Sequence, residues 1–275
     1  MNDFEKEYYE DEGFWEGDMV QDAANMKRME VTAVMIKDDV RNLADIGCGN
    51  GVFINYLSQN KPAIKLTGVD RSAAALKYVN AEKIEASIEN LPSENKSFDC
   101  VSCLEVIEHL PEGIYQKALD ELVRISKKYI IISVPNSEIL EDSYNKCPSC
   151  KSIFNYEMHL RSFNEKILKQ LLESRNYNCT EIKTTGRGVS YWGHKEYIKL
   201  FYPEQTFKWR SPICPICGFK SKHKIKEALI PTINPSQSSR SNSRKLISYL
   251  SAIPKIFWPK ISNDYWIIAH YERND

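Results

Sequence analysis

The sequence predicts an α/β fold in which helices cover both faces of a doubly wound, seven-stranded sheet. Three observations support this prediction. Short apolar segments alternate with segments of helical periodicity from residue 42 to residue 134. The segment 129–134 is almost continuously apolar, as expected for a strand covered on both faces. A glycine-rich turn separates the first strand from the helix that follows it, which is a common arrangement at the ligand-binding edge of such sheets.

The predicted helices and strands follow one another closely. The apolar residues of 111–127 recur at helical spacing, and Ser162 or Asn164 can cap the helix over 163–174. In chain order the elements are a helix over 19–37, a strand over 42–46, a helix over 51–59, a strand over 64–69, a helix over 72–79, strands over 83–86 and 99–104, a helix over 111–127, a strand over 129–134, a helix over 163–174, and strands over 179–184 and 264–273.

Composition is that of an ordinary soluble globular protein, with 42% hydrophobic and 27% charged residues in 275. This length holds one substantial domain with an insertion, or two small domains. Lys+Arg and Asp+Glu both number 37, so no overall charge attracts nucleic acid. The charge is segregated, with eight acids in 1–18 and nine bases in 218–262. These are either solvated surfaces or, for the basic segment, a patch for an anionic substrate.

The acidic N-terminal segment is the reverse of the basic start of a signal peptide. No apolar run reaches the ~18–20 residues that span a bilayer. The nearest run, 246–258, is interrupted by Pro254 and Lys255. We therefore expect a cytoplasmic protein without a membrane span.

The turn after strand one reads ADIGCGNG over residues 44–51. Gly47, Gly49 and Gly51 allow positive φ and let backbone N–H groups approach a ligand. Their G-x-G-x-G spacing differs from the dinucleotide-type G-x-G-x-x-G and indicates a different nucleotide-like ligand. Ordinary strand–turn–helix corners also use glycine. Strand two, however, ends in Asp70, where an acid can accept hydrogen bonds from both hydroxyls of a ribose.

Two further motifs follow in order. Leu91 and Pro92 precede SFDCV over 97–101, which opens strand four, and EVIEHLP covers 105–111 after it. With the glycine turn and the acid of strand two, this set resembles the class I S-adenosylmethionine (SAM) dependent methyltransferases. The resemblance covers about residues 40–185 and implies a Rossmann-like sheet that binds its ligands at the carboxyl ends of the strands.

The resemblance implies roles for the residues of a cofactor site. Gly47, Gly49 and Gly51 would line the methionine end of SAM. Asp45 would help to hold its amino group, and Asp70 would bind the ribose.

The adenine end departs from the family pattern. Ser87 stands where the family usually has an Asp facing the adenine, and it can still form a hydrogen bond. Ile88 would pack on the purine face. Aromatic residues of the N-terminal segment would form a lid over the cofactor, as in similar methyltransferases, or would simply anchor the segment to the core. They are Phe4, Tyr8, Tyr9, Phe14 and Trp15.

Two near copies of a C-P-x-C motif predict a metal site. They are Cys147 and Cys150 in the first copy, and Cys214 and Cys217 in the second. Each C-x-x-C turn presents two thiolates, and two such turns complete a tetrahedral Zn²⁺ shell. Four protein ligands leave no open position, so this zinc would be structural. Redox-active or free thiols are the alternative.

The methyl acceptor is expected near the end of strand four, beside Glu105, Glu108 and His109; His159, after strand five, can join them. Carboxylates and imidazoles can bind a divalent cation. The segment is similar to the Glu-x-x-Glu-His metal motif of small-RNA 3′-end 2′-O-methyltransferases and to motifs of ubiquinone-pathway O-methyltransferases. A metal would lower the pKa of an acceptor hydroxyl. Alternatively, the side chains line the pocket or cap a helix, or His109 or His159 acts as general base.

The chain is expected to have four parts. A lid and helix occupy 1–40, and the SAM-binding core occupies 41–184. An insertion over 185–263 carries the second cysteine pair and lies, zinc-stapled, near the active-site end; residues 264–275 form the last strand of the core.

The function expected from these parts is SAM-dependent methylation of a small molecule, at a hydroxyl oxygen of a sugar or other metabolite. No Asp-Pro-Pro-Tyr or Asn-Pro-Pro-Tyr motif is present, which favours oxygen or carbon acceptors over the amino groups of bases. One alternative is an RNA methyltransferase that uses the basic insertion. Another is a non-catalytic, zinc-bearing module that binds SAM.

Overall fold

The computed structural model describes residues 9–10, 15, 23–191, 213–220 and 260–274. Several expectations lie outside this part of the chain. They concern Phe4, Tyr8 and Phe14 of the N-terminal segment, and most of the basic segment 218–262.

A seven-stranded sheet forms the centre of the larger part of the chain. Its strands are β1 (Asn42–Ile46), β2 (Lys65–Asp70), β3 (Glu82–Glu85), β4 (Phe98–Leu104), β5 (Ser126–Pro135), β8 (Tyr177–Tyr191) and β9 (Lys260–Arg273). The strand order is β3-β2-β1-β4-β5-β9-β8. Pairs among the first five strands are parallel, and β9 runs antiparallel to β5. The order reverses between β1 and β4, which is the point where sheets of this kind bind ligands.

Five helices accompany these strands in the described residues. They are α1 (Ala23–Met35), α2 (Val52–Asn60), α3 (Ala73–Leu76), α4 (Glu112–Ile125) and α5 (Glu165–Gln170). The predicted doubly wound α/β class is confirmed.

Two apolar clusters lie on opposite faces of the sheet, because successive side chains of a strand alternate between faces. Ile130 and Ile132 of β5 join the cluster that includes Leu119 and Leu122 of α4. Tyr129 and Ile131 join the cluster that includes Met29 of α1 and Phe53 of α2. Covering on both faces explains the nearly continuous apolar run of this strand.

Several boundaries differ from the prediction. The helix predicted over 72–79 is the short α3, and the one predicted over 163–174 is α5 followed by a 3₁₀ turn, Glu173–Arg175. Asn164 caps α5 by accepting a hydrogen bond from Ile167 N at 3.0 Å, which settles the choice against Ser162. The last two strands extend beyond the predicted 179–184 and 264–273, into residues that were assigned to the insertion.

Contacts divide the chain into two compact units. The first consists of 1–140, 158–187 and 264–275, and the second of 141–157 and 188–263. The second unit contains a hairpin that the sequence did not indicate, formed by β6 (Tyr144–Lys146) and β7 (Ile153–Asn155). Among the described residues, no helix combines the length and apolar character that crossing a membrane requires.

Candidate active site

The turn after β1 is built from residues in left-handed backbone conformations. Gly47, Gly49 and Gly51 have φ angles of 72°, 53° and 76°. Gly47 N donates to Val69 O at 2.8 Å, which ties the turn to the end of β2. A Cβ on Gly49 would lie 2.8 Å from the ring of Trp15, so both conformation and space exclude a side chain there. The backbone of this turn therefore lies close to the end of β2 and to the Trp15 ring, where residues with larger side chains would not fit.

Asp70 ends β2 and faces the same turn. Its Oδ2 accepts from Gly49 N at 2.8 Å and its Oδ1 from Ser72 N at 2.9 Å. Burial raises the pKa of Asp70, while these two backbone donors act in the opposite direction. Each carboxylate oxygen keeps a further lone pair, so the group can still accept from a diol such as a ribose.

Two residues of the N-terminal segment pack on this region. Trp15 is buried beside Ala74 and Ala75 of α3, and its Nε1 donates to Tyr9 O at 2.6 Å. Ser72 Oγ also donates to Tyr9 O, at 2.7 Å. Trp15 therefore lies against the glycine turn and α3, and Tyr9 lies beside Trp15 and Ser72, which suits the lid and the anchor interpretations alike.

Asp45 lies within β1 and is almost completely buried. Ser102 of the adjacent strand donates its hydroxyl proton to Asp45 Oδ1 at 2.7 Å. Burial raises the pKa of this carboxyl to about 7, against the hydrogen bond from Ser102 and the positive charge of Arg28. A nearby ammonium group would favour the ionised form of Asp45 and lower its pKa.

Glu105 follows β4 with a φ of 58°, a strained value for a residue with a side chain. Its Oε1 accepts from Ser133 Oγ at 2.8 Å, and its Oε2 accepts from Trp266 Nε1 at 2.9 Å. These two hydrogen bonds hold the Glu105 carboxylate between Ser133 of β5 and Trp266 of β9.

Arg28 brings a buried positive charge from α1. Its Nε and Nη2 donate to Asn25 Oδ1 at 3.2 and 2.7 Å, and its guanidinium lies 5.1 Å from the centroid of the Trp266 ring. Nη1 lies 3.5 Å from Glu105 Oε1. Nη1 of Arg28 has no hydrogen-bond partner within the described part of the chain.

Glu108, His109 and His159 form a compact cluster whose potential ligand atoms lie within 4.8 Å of one another. Glu108 is fully buried, and neither carboxyl oxygen has a hydrogen-bond partner in the described ranges. Burial and the charge of Glu105 raise the pKa of Glu108 well above its usual range. Burial and His159 lower the pKa of His109 to about 3, so His109 is neutral at pH 7. Glu105 is not a member of this cluster.

His159 is oriented by an acid that the sequence analysis missed. Its Nδ1 lies 2.5 Å from Glu138 Oε2, and its ring packs edge-on against His109 with centroids 4.7 Å apart. Leu160 N donates to Glu108 O at 2.8 Å. This hydrogen bond holds the chain around His159 next to the segment that follows β4. An imidazole whose Nδ1–H faces a carboxylate presents the lone pair of Nε2 for proton transfer or metal binding.

The residues expected at the adenine end follow β3. Ser87 Oγ is hydrogen-bonded to Glu89 Oε2. Ile88 is partly buried and packs against the same apolar cluster as Ile46 and Val69.

Four thiols meet in the second unit. Sγ atoms of Cys147 and Cys217 are 3.7 Å apart, and so are those of Cys150 and Cys214. Ligands about 2.3 Å from a tetrahedral zinc are about 3.8 Å apart, so this spacing suits that metal. A hydrogen bond from Ser152 lowers the pKa of the Cys150 thiol to about 6, favouring the thiolate that binds metals.

Each cysteine pair lies on the same kind of turn. Lys151 N donates to Cys147 O at 3.0 Å, and Gly218 N donates to Cys214 O at 2.9 Å. Lys151 and Gly218 both have positive φ, at 66° and 68°. The near identity of the two C-P-x-C motifs therefore extends to their backbone. Cys100 and Cys103 are buried on β4.

Comparisons with known proteins agree with this architecture. The model of the methyltransferase domain family matches residues 23–182, more than half of the chain. The chain therefore belongs to the methyltransferase domain family, and its motifs place it with the class I SAM-dependent methyltransferases.

Individual relatives resemble parts of the chain. The ubiquinone/menaquinone biosynthesis C-methyltransferase UbiE of Campylobacter jejuni is 35% identical over 114 residues, which are 38% of this chain and 47% of that protein. The ubiquinone biosynthesis O-methyltransferase of Paracidovorax citrulli is 31% identical over 83 residues, 26% of this chain and 34% of that protein. The chain thus spans about half or less of these relatives.

A solved structure extends the likeness in fold. A putative methyltransferase from Bacillus halodurans superposes with a TM-score of 0.51 at 12% identity, over 91% of this chain and 98% of that chain. At this identity the comparison concerns the fold alone.

Proposed function

We propose that this protein binds SAM at the carboxyl ends of β1, β2 and β4 and transfers its methyl group to a hydroxyl oxygen of a small-molecule acceptor. The observation that carries the proposal is the position of Asp70. This carboxylate is fixed by Gly49 N and Ser72 N at the tip of β2, next to the glycine turn.

The residues present fit SAM in their chemistry. The turn of Gly47, Gly49 and Gly51 keeps the backbone open to a ligand, and Asp70 retains acceptor capacity for a ribose. Asp45 is a buried carboxyl suited to an ammonium group, and Ser87 and Ile88 would contact the adenine. When bound, SAM supplies an electrophilic methyl group on a sulfonium.

His159 is proposed as the general base. Glu138 would hold its Nδ1–H, so that Nε2 takes the proton of the acceptor hydroxyl as the oxygen is methylated. His109 and Glu108 would shape the pocket beside it. Hydroxyl acceptors are favoured because a carboxylate-oriented imidazole is suited to deprotonate them. The quoted relatives include both a carbon and an oxygen methyltransferase, so a hydroxylated ring is the first acceptor class to test.

Transfer of labelled methyl groups from SAM to phenols, catechols and sugars tests this proposal. We expect wild-type protein to label a hydroxylated acceptor. His159→Gln should reduce kcat about 100-fold or more while leaving the affinity for S-adenosylhomocysteine (SAH) unchanged. Labelling confined to amine acceptors, or full activity of the variant, would contradict the assignment.

A divalent cation at Glu108, His109 and His159 is a second candidate for activating the acceptor. It is favoured by the fully buried Glu108 carboxyl, because a cation would satisfy two oxygens that lack hydrogen-bond partners in the described residues. Excess chelator followed by Mg²⁺ or Mn²⁺ addition separates the two mechanisms. Metal-assisted transfer should be lost and then restored, whereas transfer that depends on His159 alone should persist.

The four cysteines are proposed to hold a structural zinc ion, which would join the two turns of the second unit.

A further inference from the structure

The imidazole cluster is built from two segments that lie far apart in the sequence. The cluster consists of Glu108, His109 and His159. The first two belong to the turn 107–110 after β4, and the third belongs to the segment 158–161 before α5. Leu160 N donates to Glu108 O at 2.8 Å, which joins the two segments at one point. The relative position of the two rings is set by the hydrogen bonds between these segments.

Arg161 forms two further hydrogen bonds between the segments. Its Nη1 donates to Ile107 O at 2.8 Å and also to Leu110 O. These carbonyls stand on either side of Glu108 and His109 in the chain, so one guanidinium nitrogen spans the turn that carries both side chains. Hydrogen bonds from a charged donor are about twice as strong as those between neutral groups. Arg161 therefore contributes more to this contact than the single backbone bond.

The guanidinium of Arg161 is supported by α4. Its centre lies 3.9 Å from the centroid of the Tyr115 ring, and its Nη2 donates to Glu112 Oε2 at 3.3 Å. Tyr115 is buried whereas Glu112 is largely exposed, so the ring gives the firmer support. Arg161 thus connects the buried face of α4 to the turn 107–110.

The backbone next to His159 needs such support. Met158, directly before it, has a φ of 63°, in the left-handed region. A residue with a side chain keeps this conformation only where surrounding contacts impose it. The hydrogen bonds of Leu160 and Arg161 to the turn 107–110 supply such contacts.

We propose that Arg161 is a positioning residue for methyl transfer, which holds the turn 107–110 against His159 so that the two imidazoles stay in contact. The inference rests on the proposed function, because Arg161 would act through the general base proposed there. It would not act on the acceptor directly, since both of its terminal nitrogens bond to the protein. A shift of about 1 Å in a reacting group can reduce a rate about 100-fold.

Nuclear magnetic resonance of histidine-labelled protein tests the assignment without an acceptor. In the wild type, ring protons of His109 and His159 should show a nuclear Overhauser effect, because the ring centroids are 4.7 Å apart. The signals are assigned with His109→Gln. Folded Arg161→Met should lose this effect. Arg161→Lys should keep part of it, since an ammonium group still donates to a carbonyl.

Arg175→Met is the matched control. The side chains of Arg161 and Arg175 are equally exposed, at 18%. Arg175 also bonds to α4, donating to Asp120 Oδ1 at 2.7 Å and to Gln116 Oε1 at 2.9 Å. Its recorded hydrogen bonds do not involve the turn 107–110, so the Overhauser effect should be unchanged in this variant.

Kinetics with a methylated acceptor measure the consequence for the reaction. Arg161→Met should lower kcat about 10- to 100-fold while the affinity for SAH stays at the wild-type value. In a His159→Gln background the same substitution should lower kcat less than about 3-fold, because both changes disable one imidazole. A merely structural role would give independent effects in the two backgrounds.

Four results would overturn the inference. They are a wild type without the Overhauser effect, a folded Arg161→Met variant that keeps it, its equal loss in Arg175→Met, and fully independent effects of Arg161→Met and His159→Gln on kcat. If Arg161→Met fails to fold, Arg161→Lys and the wild-type spectrum carry the test. Failure of wild-type protein to methylate any hydroxylated acceptor would instead contradict the proposed function, and the spectra separate these failures because they need no acceptor.

Discussion

At the scale of single residues, three constraints meet at Gly49 of the turn after β1. Its φ is 53°, and an added Cβ would meet the Trp15 ring at 2.8 Å. Its N–H also fixes Asp70. Space, conformation and a hydrogen bond thus all act at one position of the turn.

Gly49→Ala is expected to destabilise the protein by about 1–3 kcal/mol and to weaken SAH binding. The reason is the strained backbone together with displacement of Trp15. Urea denaturation and a thermal-shift titration measure the two effects. Gly113→Ala is the matched control, since a Cβ there would meet no atom within 4 Å. Its stability should match or slightly exceed that of the wild type, and equal losses in the two variants would contradict this explanation.

His270 is a second residue with a measurable consequence. It is fully buried on β9, and Thr180 Oγ1 lies 2.7 Å from its Nδ1. Burial, aided by the charge of Lys37, lowers the pKa of His270 to about 4. In the unfolded chain its pKa is about 6.5, so the unfolded state binds more protons between these values.

The stability contributed by neutral His270 is therefore complete above about pH 6.5 and is lost as the pH falls to about 4. Between pH 7 and pH 4 the wild type should lose about 2–3 kcal/mol more than His270→Gln. Denaturant midpoints across this range measure the difference. Other titrating groups, including Asp45, are common to both proteins and cancel. Parallel pH profiles would contradict the assignment.

At the scale of elements, the most specific arrangement is the pair of cysteine turns in the second unit. The Sγ–Sγ distances of 3.7 Å arise from two separate segments, each with a positive φ four residues after its first cysteine. Repetition of the turn explains why two short motifs 63 residues apart can complete one site.

Purified protein is expected to contain about one zinc ion per chain. Cys214→Ser should lose most of it, because three thiolates hold zinc less tightly than four, and the variant should be more sensitive to proteolysis within the second unit. Cys179→Ser is the control, since Cys179 lies outside the cluster. Elemental analysis measures the zinc content of each variant. Zinc retained by Cys214→Ser, or lost equally by both variants, would contradict the proposed four-cysteine zinc site.

Strands were easier to predict from the sequence than helix lengths. β1 was predicted at its observed bounds, Asn42–Ile46, because the glycine turn that begins at Gly47 marks the end of the strand in the sequence. The helix over 72–79 was overestimated, since apolar spacing continues past Leu76 although the hydrogen-bonded helix does not. The β6–β7 hairpin was missed because its strands have three residues each, too few for a recognisable period.

The candidate site was predictable where residues are adjacent in the chain. Glu108 and His109 stand together in one motif, but their neighbour His159 is brought close only by folding. Arg28, Glu138 and Trp266 carried no motif, and their relevance arises from burial and long-range contacts. A lone Arg in a helix gives no sequence signal of this kind.

At the scale of the whole molecule, topology gathers the site from distant segments. Strand order reverses between β1 and β4, and the glycine turn, Asp70 and the segment after β4 all follow strands at one edge of the sheet. The antiparallel β9 adds Trp266 next to β5. One sheet thus places the carboxylate of Asp70, the buried carboxyl of Asp45 and an imidazole cluster at the ends of neighbouring strands.

The central claim is that this edge of the sheet binds SAM, and calorimetric titration of wild-type protein and Asp70→Asn with SAH tests it most directly. The wild type should bind one SAH per chain. Asp70→Asn should bind about 10- to 100-fold more weakly, because an amide offers only one of the two acceptor oxygens that the carboxylate supplies. Absence of wild-type binding, or equal affinity of a folded Asp70→Asn variant, would contradict the account.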